Sequence, residues 1–327
     1  MEEAELCFPE INTSCRKPSH PHLEASLIYT LLSSISLLTV FLNLLVIVSI
    51  SHFRQLNTPT NLLLLSLAVS DFLVGFLQIP VEIILYHGCW ILGDLMCALN
   101  YYFAGLTVSV SVGIMVLISV DRYVAICDPM FYSTKVTPQR VQQCICLCWI
   151  ISALHYSWLL RDLLKQPGRY NSCYGECAFG INYVEGAVDL VLSFFGPILV
   201  IIVLYMRVFV VAVSQARAMR SHIAAVKLQD SKIITVKKSE LKAARTLGVV
   251  VVVFLLCYLP YYCFSVAAED NLVGSASAAV QIWMLYLNSC INPVIYVFFY
   301  PWFKKSIKII VTLQILQPRS SETNMLE

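Results

Sequence analysis

Glu185, Asp189 and Ser193 stand four residues apart within an otherwise apolar run from Tyr183 to Tyr205. Residues at that spacing share one face of a helix, so the three form a polar stripe. An ionisable group inside an apolar run of this length is expensive and is read first as a functional site. Its chemistry is cation binding, because a partly desolvated carboxylate seeks a positive partner. Three readings are open for Asp189: a salt bridge to a ligand ammonium, pairing with a protein base such as Arg161, or a protonated carboxyl. Two like charges one turn apart repel unless a cation sits between them, which applies to Glu185 and Asp189. Glu82, eleven residues after Asp71, is a candidate third carboxylate. Such an acid-rich site suits a di- or polyamine; solvated rim carboxylates are the simpler alternative. No nucleophile–base–acid set and no phosphate-binding glycine loop is evident, so no enzyme is expected.

The elements that must carry these groups follow from composition. Hydrophobic residues make up 58% of the 327 positions and charged residues 13%, with mean hydropathy +0.75. Soluble domains run at about 45–50% apolar and about 25% charged. Seven apolar stretches fall roughly at 27–50, 60–85, 98–126, 142–160, 183–213, 244–267 and 276–299. Each reaches the roughly 17–25 residues that span a bilayer, where backbone polar groups must bond internally. The fold class is an all-α membrane protein, a seven-transmembrane helix bundle. The segment from Phe303 to Ile310 reads as a short amphipathic helix on the membrane surface. The chain divides into a tail (1–26), a seven-helix domain (27–299) and a segment with the amphipathic helix (300–327).

Charge sets the expected orientation. With the N-terminus outside, only Arg16, Lys17, Arg161, Lys165 and Arg169 of the 22 basic residues lie externally, in line with the positive-inside bias. The outer side is acidic, which concentrates cations. The net charge of +2 conceals this polarity. No cleavable leader is visible, so the first helix is expected to serve as an uncleaved anchor. Asn12-Thr-Ser14 is a glycosylation sequon in the tail. Cys7, Cys15, Cys89, Cys97, Cys173 and Cys177 fall on the oxidising side; Cys97 and Cys177 can bridge there. The helix cysteines offer no metal cage and read as packing residues.

Polar residues then recur at fixed places in the helices. Asn43 is in helix one, Leu67-Ala-Val-Ser-Asp71 in helix two, Asp121-Arg122-Tyr123 at the inner end of helix three, and Trp149 in helix four. Pro197 and Tyr205 follow in helix five, Cys257-Tyr-Leu-Pro260 in helix six, and Asn292-Pro-Val-Ile-Tyr296 in helix seven. Over nearly the whole chain this ordered series resembles the rhodopsin-like G-protein-coupled receptors. Leu6-Cys-Phe-Pro9, Asn12-Thr-Ser-Cys15, Cys173-Tyr-Gly-Glu-Cys177 and Phe299-Tyr-Pro-Trp-Phe303 resemble the trace amine-associated receptors more narrowly.

The resemblance implies roles residue by residue. Asp71, Ser111, Asn288 and Asn292 match the positions that gather around a sodium ion in the family; a hydrogen-bonded cluster without an ion is the alternative. Asp121, Arg122, Tyr123 and Glu240 match the inactive-state lock. Tyr205, Phe254, Tyr258, Pro260, Pro293 and Tyr296 match the activation machinery, with Tyr258 in place of the usual tryptophan. Pro197, Pro260 and Pro293 are expected to kink their helices. The implied disulfides are Cys97–Cys177 and Cys15–Cys173. The implied partners are a small amine and a heterotrimeric G protein of the stimulatory type, with arrestin and a receptor kinase; no nucleic acid is expected. The implied place is the plasma membrane, with olfactory cilia for chemosensory members.

One departure matters. The amine anchor of helix three, seventeen residues before Asp121, is Ala104, and neighbouring Thr107 carries no charge. Asp189, eight residues before Pro197 and about 12 Å outward, offers a carboxylate from another wall. Some fish members of the trace amine-associated group are similar in this exchange. Tyr261, Tyr262, Trp283 and Tyr286 lie where the family builds its ligand cage. Ring faces attract ammonium, though aromatics also fill space in bundles. Two rivals stay open: a related receptor for a non-amine ligand, and a transporter or proton channel that uses Asp71 and Asp189 as a relay.

Overall fold

A computed structural model describes residues 5–17, 22–225, 248–260 and 275–325. Helix α1 spans His22–His52. Helix α2 runs through Pro59–Leu73, a π turn at Val74–Gln78, and Ile79–Tyr86. Helix α3 is Gly93–Cys127 and α4 is Pro138–Leu159. Helix α5 runs through Tyr183–Leu190, a second π turn at Val191–Phe195, and Gly196–Ala225. Helices α6 (Gly248–Pro260), α7 (Ser275–Phe299) and α8 (Pro301–Val311) follow. Short helices at Pro129–Lys135 and Arg161–Lys165 flank α4.

The helix starts share one local chemistry. Thr58, Asp128 and Thr137 each precede a proline and accept a backbone N–H three residues on; Asn182 caps α5 in the same way. A cap oxygen satisfies one orphan donor, and proline at the first position wastes none. Both π turns lie just before a proline, Pro80 and Pro197. The missing N–H and the ring clash at proline are relieved by a widened turn. At Pro197 the expected disturbance therefore takes the form of a π turn. Pro293 lies inside α7, which continues unbroken to Phe299.

The distribution of side chains is that of a body whose solvent is hydrocarbon. Leu37, Phe41, Leu154, Leu199 and Phe209 are exposed, while Asn43, Asp71, Asn288 and Asn292 are buried. By length and composition, four described helices can cross a membrane: Leu23–His52, Pro59–Tyr86, Gly93–Cys127 and Tyr183–Ser214. Gly248–Pro260 and Trp283–Phe299 are apolar but shorter among the described residues. Helix α4, with Gln142, Gln143 and His155, is more polar than its neighbours.

Helix α3 runs through the main core, where Val110, Ile114, Met115 and Ile118 join Leu67 of α2, Phe194 and Ile201 of α5, Phe254 of α6 and Tyr296 of α7. Glycine lets α4 approach it. A Cβ at Gly105 would lie 1.9 Å from the Tyr156 ring, and one at Gly113 would lie 2.4 Å from Cys148 Sγ. Small residues at such seams permit close packing where no hydrophobic force separates helix from lipid. Trp149 Nε1 donates to Ser66 Oγ at 3.0 Å and links α4 to α2. Trp302, Phe303 and Ile309 of α8 face the core, while Lys304 and Lys308 face out.

At the opposite end from α8, three disulfides tie the tail and loops together: Cys7–Cys89, Cys15–Cys173 and Cys97–Cys177. Bridges of this kind stabilise by limiting the freedom of the unfolded chain. The first was not among the two implied by the resemblance. Single β-bridges, Leu6 to Arg16 and Ser14 to Tyr174, lay the tail against the loop before α5.

Candidate functional site

The polar stripe of α5 meets α4 side by side. Asp189 Oδ1 accepts from Ser193 Oγ at 2.7 Å and lies 2.9 Å from His155 Nε2 of α4. Both side chains of the His155–Asp189 pair are largely covered, 14% and 20% exposed. Both hydrogen bonds fall on Oδ1; among the described residues none falls on Oδ2. One turn outward, the Arg161 guanidinium pairs with Glu185. Arg161 also donates to the Trp158 carbonyl at 3.0 Å and lies over the Trp158 ring at 5.5 Å. A protein base therefore does face Asp189, but it is His155; Arg161 takes Glu185 instead.

The remaining pocket candidates separate into groups. Thr107 Oγ1 donates to Phe103 O at 2.9 Å and Ala104 O at 3.1 Å, so its hydroxyl is satisfied within α3. Ala104 is half-buried. Tyr286 donates to Glu82 Oε2 at 3.2 Å, and Trp283 and Tyr286 pack with Leu32, Ile35 and Ile79 at the α1–α2–α7 seam. Glu82 thus belongs to a different seam from Glu185 and Asp189. Tyr261, Tyr262 and Glu240 lie outside the described residues.

A second polar cluster is buried in mid-bundle. Asn292 Nδ2 donates to Asp71 Oδ2 at 2.9 Å, and Ser111 Oγ meets Ser70 Oγ at 2.9 Å. Asn43 Nδ2 donates to Ser289 O at 3.0 Å. Among the described residues, Asp71 Oδ1, Asn292 Oδ1 and both amide atoms of Asn288 have no hydrogen-bond partner. Unpaired buried oxygens of this type suit a small hard cation.

At the α8 end, Asp121 and Arg122 gather contacts from other segments. Arg122 Nε donates to Asp121 Oδ2 at 3.0 Å, and its terminal nitrogen reaches both that carboxylate and Thr60 Oγ1. Thr60 donates to Asp121 Oδ2 at 2.9 Å and Tyr132 to Asp121 Oδ1 at 3.0 Å. Burial, reinforced by the charge of Asp121, pushes the Tyr132 phenol up to about 12. Tyr123 packs with Ile126, Val208 and Val211.

Comparison with known proteins decides the family. The family model "7 transmembrane receptor (rhodopsin family)" matches residues 42–296. Trace amine-associated receptor 13c of Danio rerio is 36% identical over 332 residues, covering 99% of this chain and 97% of its own. Trace amine-associated receptor 9 of Rattus norvegicus is 38% identical, covering 98% and 97%. Trace amine-associated receptor 7e of Mus musculus is 36% identical, covering 98% and 92%. This chain belongs to the trace amine-associated receptors of the rhodopsin family. It is a membrane-embedded receptor of amine type rather than an enzyme.

In the receptor, the residues that match the family's activation positions have distinct settings. Tyr258, in the position usually held by tryptophan, is buried and stacks on Phe254 with ring centroids 4.3 Å apart. The hydroxyls of Tyr205 and Tyr296 are buried without a hydrogen-bond partner among the described residues. Pro260 closes the described part of α6. Residue types and spacing did not point to His155, Thr60 or Tyr132. A lone histidine in the apolar run of α4 was the one available signal among them.

Proposed function

We propose that the receptor binds a small amine and that Asp189 receives its ammonium. The observation that carries this is a carboxylate held at Oδ1 from two helices, with no partner on Oδ2 among the described residues, in a chain with alanine at the helix-three anchor. A carboxylate fixed before the ligand arrives loses less freedom on binding. The N-terminus is external and the α8 end faces the cytosol, in keeping with the positive-inside bias. Ligand binding favours the state in which Arg122 leaves Asp121 and a stimulatory G protein docks, raising cAMP. Arrestin and a receptor kinase act on the same face afterwards. Asn12, exposed in the tail, carries a glycan. The receptor resides in the plasma membrane, in olfactory cilia.

A sodium ion among Asp71, Asn288 and Asn292 belongs to the same proposal and rests on their unpaired oxygens. Its test is sodium-dependent thermal stabilisation that vanishes in Asp71→Asn. The test of the main reading is a cAMP response to a panel of amines, with Asp189→Asn compared at equal surface level. Loss of response in the variant is expected; unchanged potency sinks the ammonium role. A non-amine ligand is the second reading, favoured by one observation: both helix-five acids already face protein bases. Acids and neutral compounds in the same assay separate the two.

A further inference from the structure

We propose that Arg161 is a built-in second cation that sets the receptor's preference for ligands with one ammonium over ligands with two. The inference rests on the reading of Asp189 as the ammonium anchor. Glu185 and Asp189 lie one turn apart on the same face of α5, the spacing at which two charged ends of one ligand could each find a carboxylate. The outer carboxylate is taken. Its partner, Arg161, keeps its charge at any physiological pH.

Three contacts position that guanidinium. It pairs with Glu185, bonds the Trp158 carbonyl and covers the Trp158 ring. Its side chain is 38% exposed while that of Glu185 is 12% exposed, so a ligand's second ammonium must displace a charge already in place. Asp189 faces a different kind of base. His155 and Ser193 both meet Oδ1, and among the described residues none meets Oδ2. The inner acid is thus open to an ammonium and the outer one is neutralised. Glu82, bonded to Tyr286 at another seam, does not restore a second anchor beside them.

The test uses the full-length receptor at matched surface level, with a straight-chain monoamine and the terminal diamine of equal carbon count. In Arg161→Gln and Arg161→Met, diamine potency is expected to rise about three- to fivefold relative to the monoamine, the scale of one partly exposed ion pair. Adding Glu185→Gln to either variant should return the ratio to the wild-type value. A ratio unmoved by both Arg161 variants overturns the proposal, as does a gain that survives without Glu185. If the single variants fail to reach the surface, the exchanged pair R161E/E185R is used. It should keep the wild-type ratio, and a diamine preference in it is disqualifying. Asp189→Asn is run alongside. Retention of monoamine potency there, or an amine panel without a responding monoamine, removes the underlying reading and this proposal with it. Loss in Asp189→Asn with an unmoved Arg161 ratio removes this proposal alone.

Discussion

His155 Nε2 of α4 lies 2.9 Å from Asp189 Oδ1 of α5, and Ser193 holds the same oxygen from one turn below. This three-residue contact restrains the carboxylate against rotation about its last bond, with no partner on Oδ2 among the described residues. The bond crosses between helices, so it also reports how α4 and α5 are packed.

If His155 positions the carboxylate, Asp189 should depend on a donor at that place rather than on an imidazole as such. His155→Ala is expected to lower amine potency about tenfold, the scale of a hydrogen bond to a charged group. His155→Gln, which keeps an N–H donor, should recover most of that loss. Concentration–response curves in a cAMP assay read both. Equal potency of the alanine variant and wild type would show that Asp189 needs no support from α4.

Asp121 accepts from Arg122, Thr60 and Tyr132, so among the described residues at least four side chains share this arrangement. Tyr132→Phe deletes one donor without changing shape and costs about 1 kcal/mol of that arrangement. A shift of this size moves a two-state equilibrium about fivefold. Raised basal cAMP without ligand is the expected outcome, at surface levels matched to wild type. Thr60→Val should act in the same direction. Basal activity at the wild-type level in both would mean that Arg122 alone sustains the lock.

The seven-helix plan was legible because lipid leaves a helix few alternatives, and long apolar runs report it directly. The Asp121–Arg122 pair was legible as a motif, but Thr60 and Tyr132 come from other segments and carry no local signal. Six cysteines on one side admit many pairings, and spacing does not choose among them; Cys7–Cys89 became visible only once the tail was laid over the loops. His155 escaped for a different reason. One imidazole in an apolar helix is compatible with many partners, and the register between α4 and α5 decides which it meets. Glu185 looked free to bind a ligand for the same reason, since the end of α4 that delivers Arg161 lies twenty-odd residues upstream in sequence but alongside in space.

The loop before α5 carries its own pH response. Glu176 accepts from the Ser172 hydroxyl at 2.7 Å and the Ser172 amide at 2.6 Å, which hold its carboxyl below the ordinary value of 4.5. A lowered native pKa means that the loop gains stability while the group is ionised. That gain is present above 4.5 and is lost as pH falls through the lowered value. Glu176→Gln should therefore make the 171–178 segment more susceptible to proteolysis at pH 6–7, with the difference from wild type closing below pH 4.5. The effect is small because the group is largely exposed. A difference that persists unchanged at the lowest pH would point to shape rather than charge.

The seam between α3 and α4 offers the sharpest test of packing. Gly113 faces Cys148, whose sulfur would lie 2.4 Å from an added Cβ. Relief requires the Cys148 thiol to turn out of its place or α4 to move. Gly113→Ala is expected to cost about 1–3 kcal/mol, the range for overpacking a close-packed interior. Thermal stability of the purified receptor and its surface level should both fall. Cys148→Ala removes the offending sulfur and by itself should cost less, since it leaves only a small gap beside a glycine. Combining the two replaces one missing group with one added group in the same space. The double variant should therefore be more stable than Gly113→Ala alone, a non-additive recovery that distant sites do not show. Strict additivity of the two losses would mean that α4 does not approach α3 through this contact. Because α4 delivers His155 to Asp189 and leads into the turn that carries Arg161, the same displacement should weaken amine response in Gly113→Ala and be repaired together with stability in the double variant.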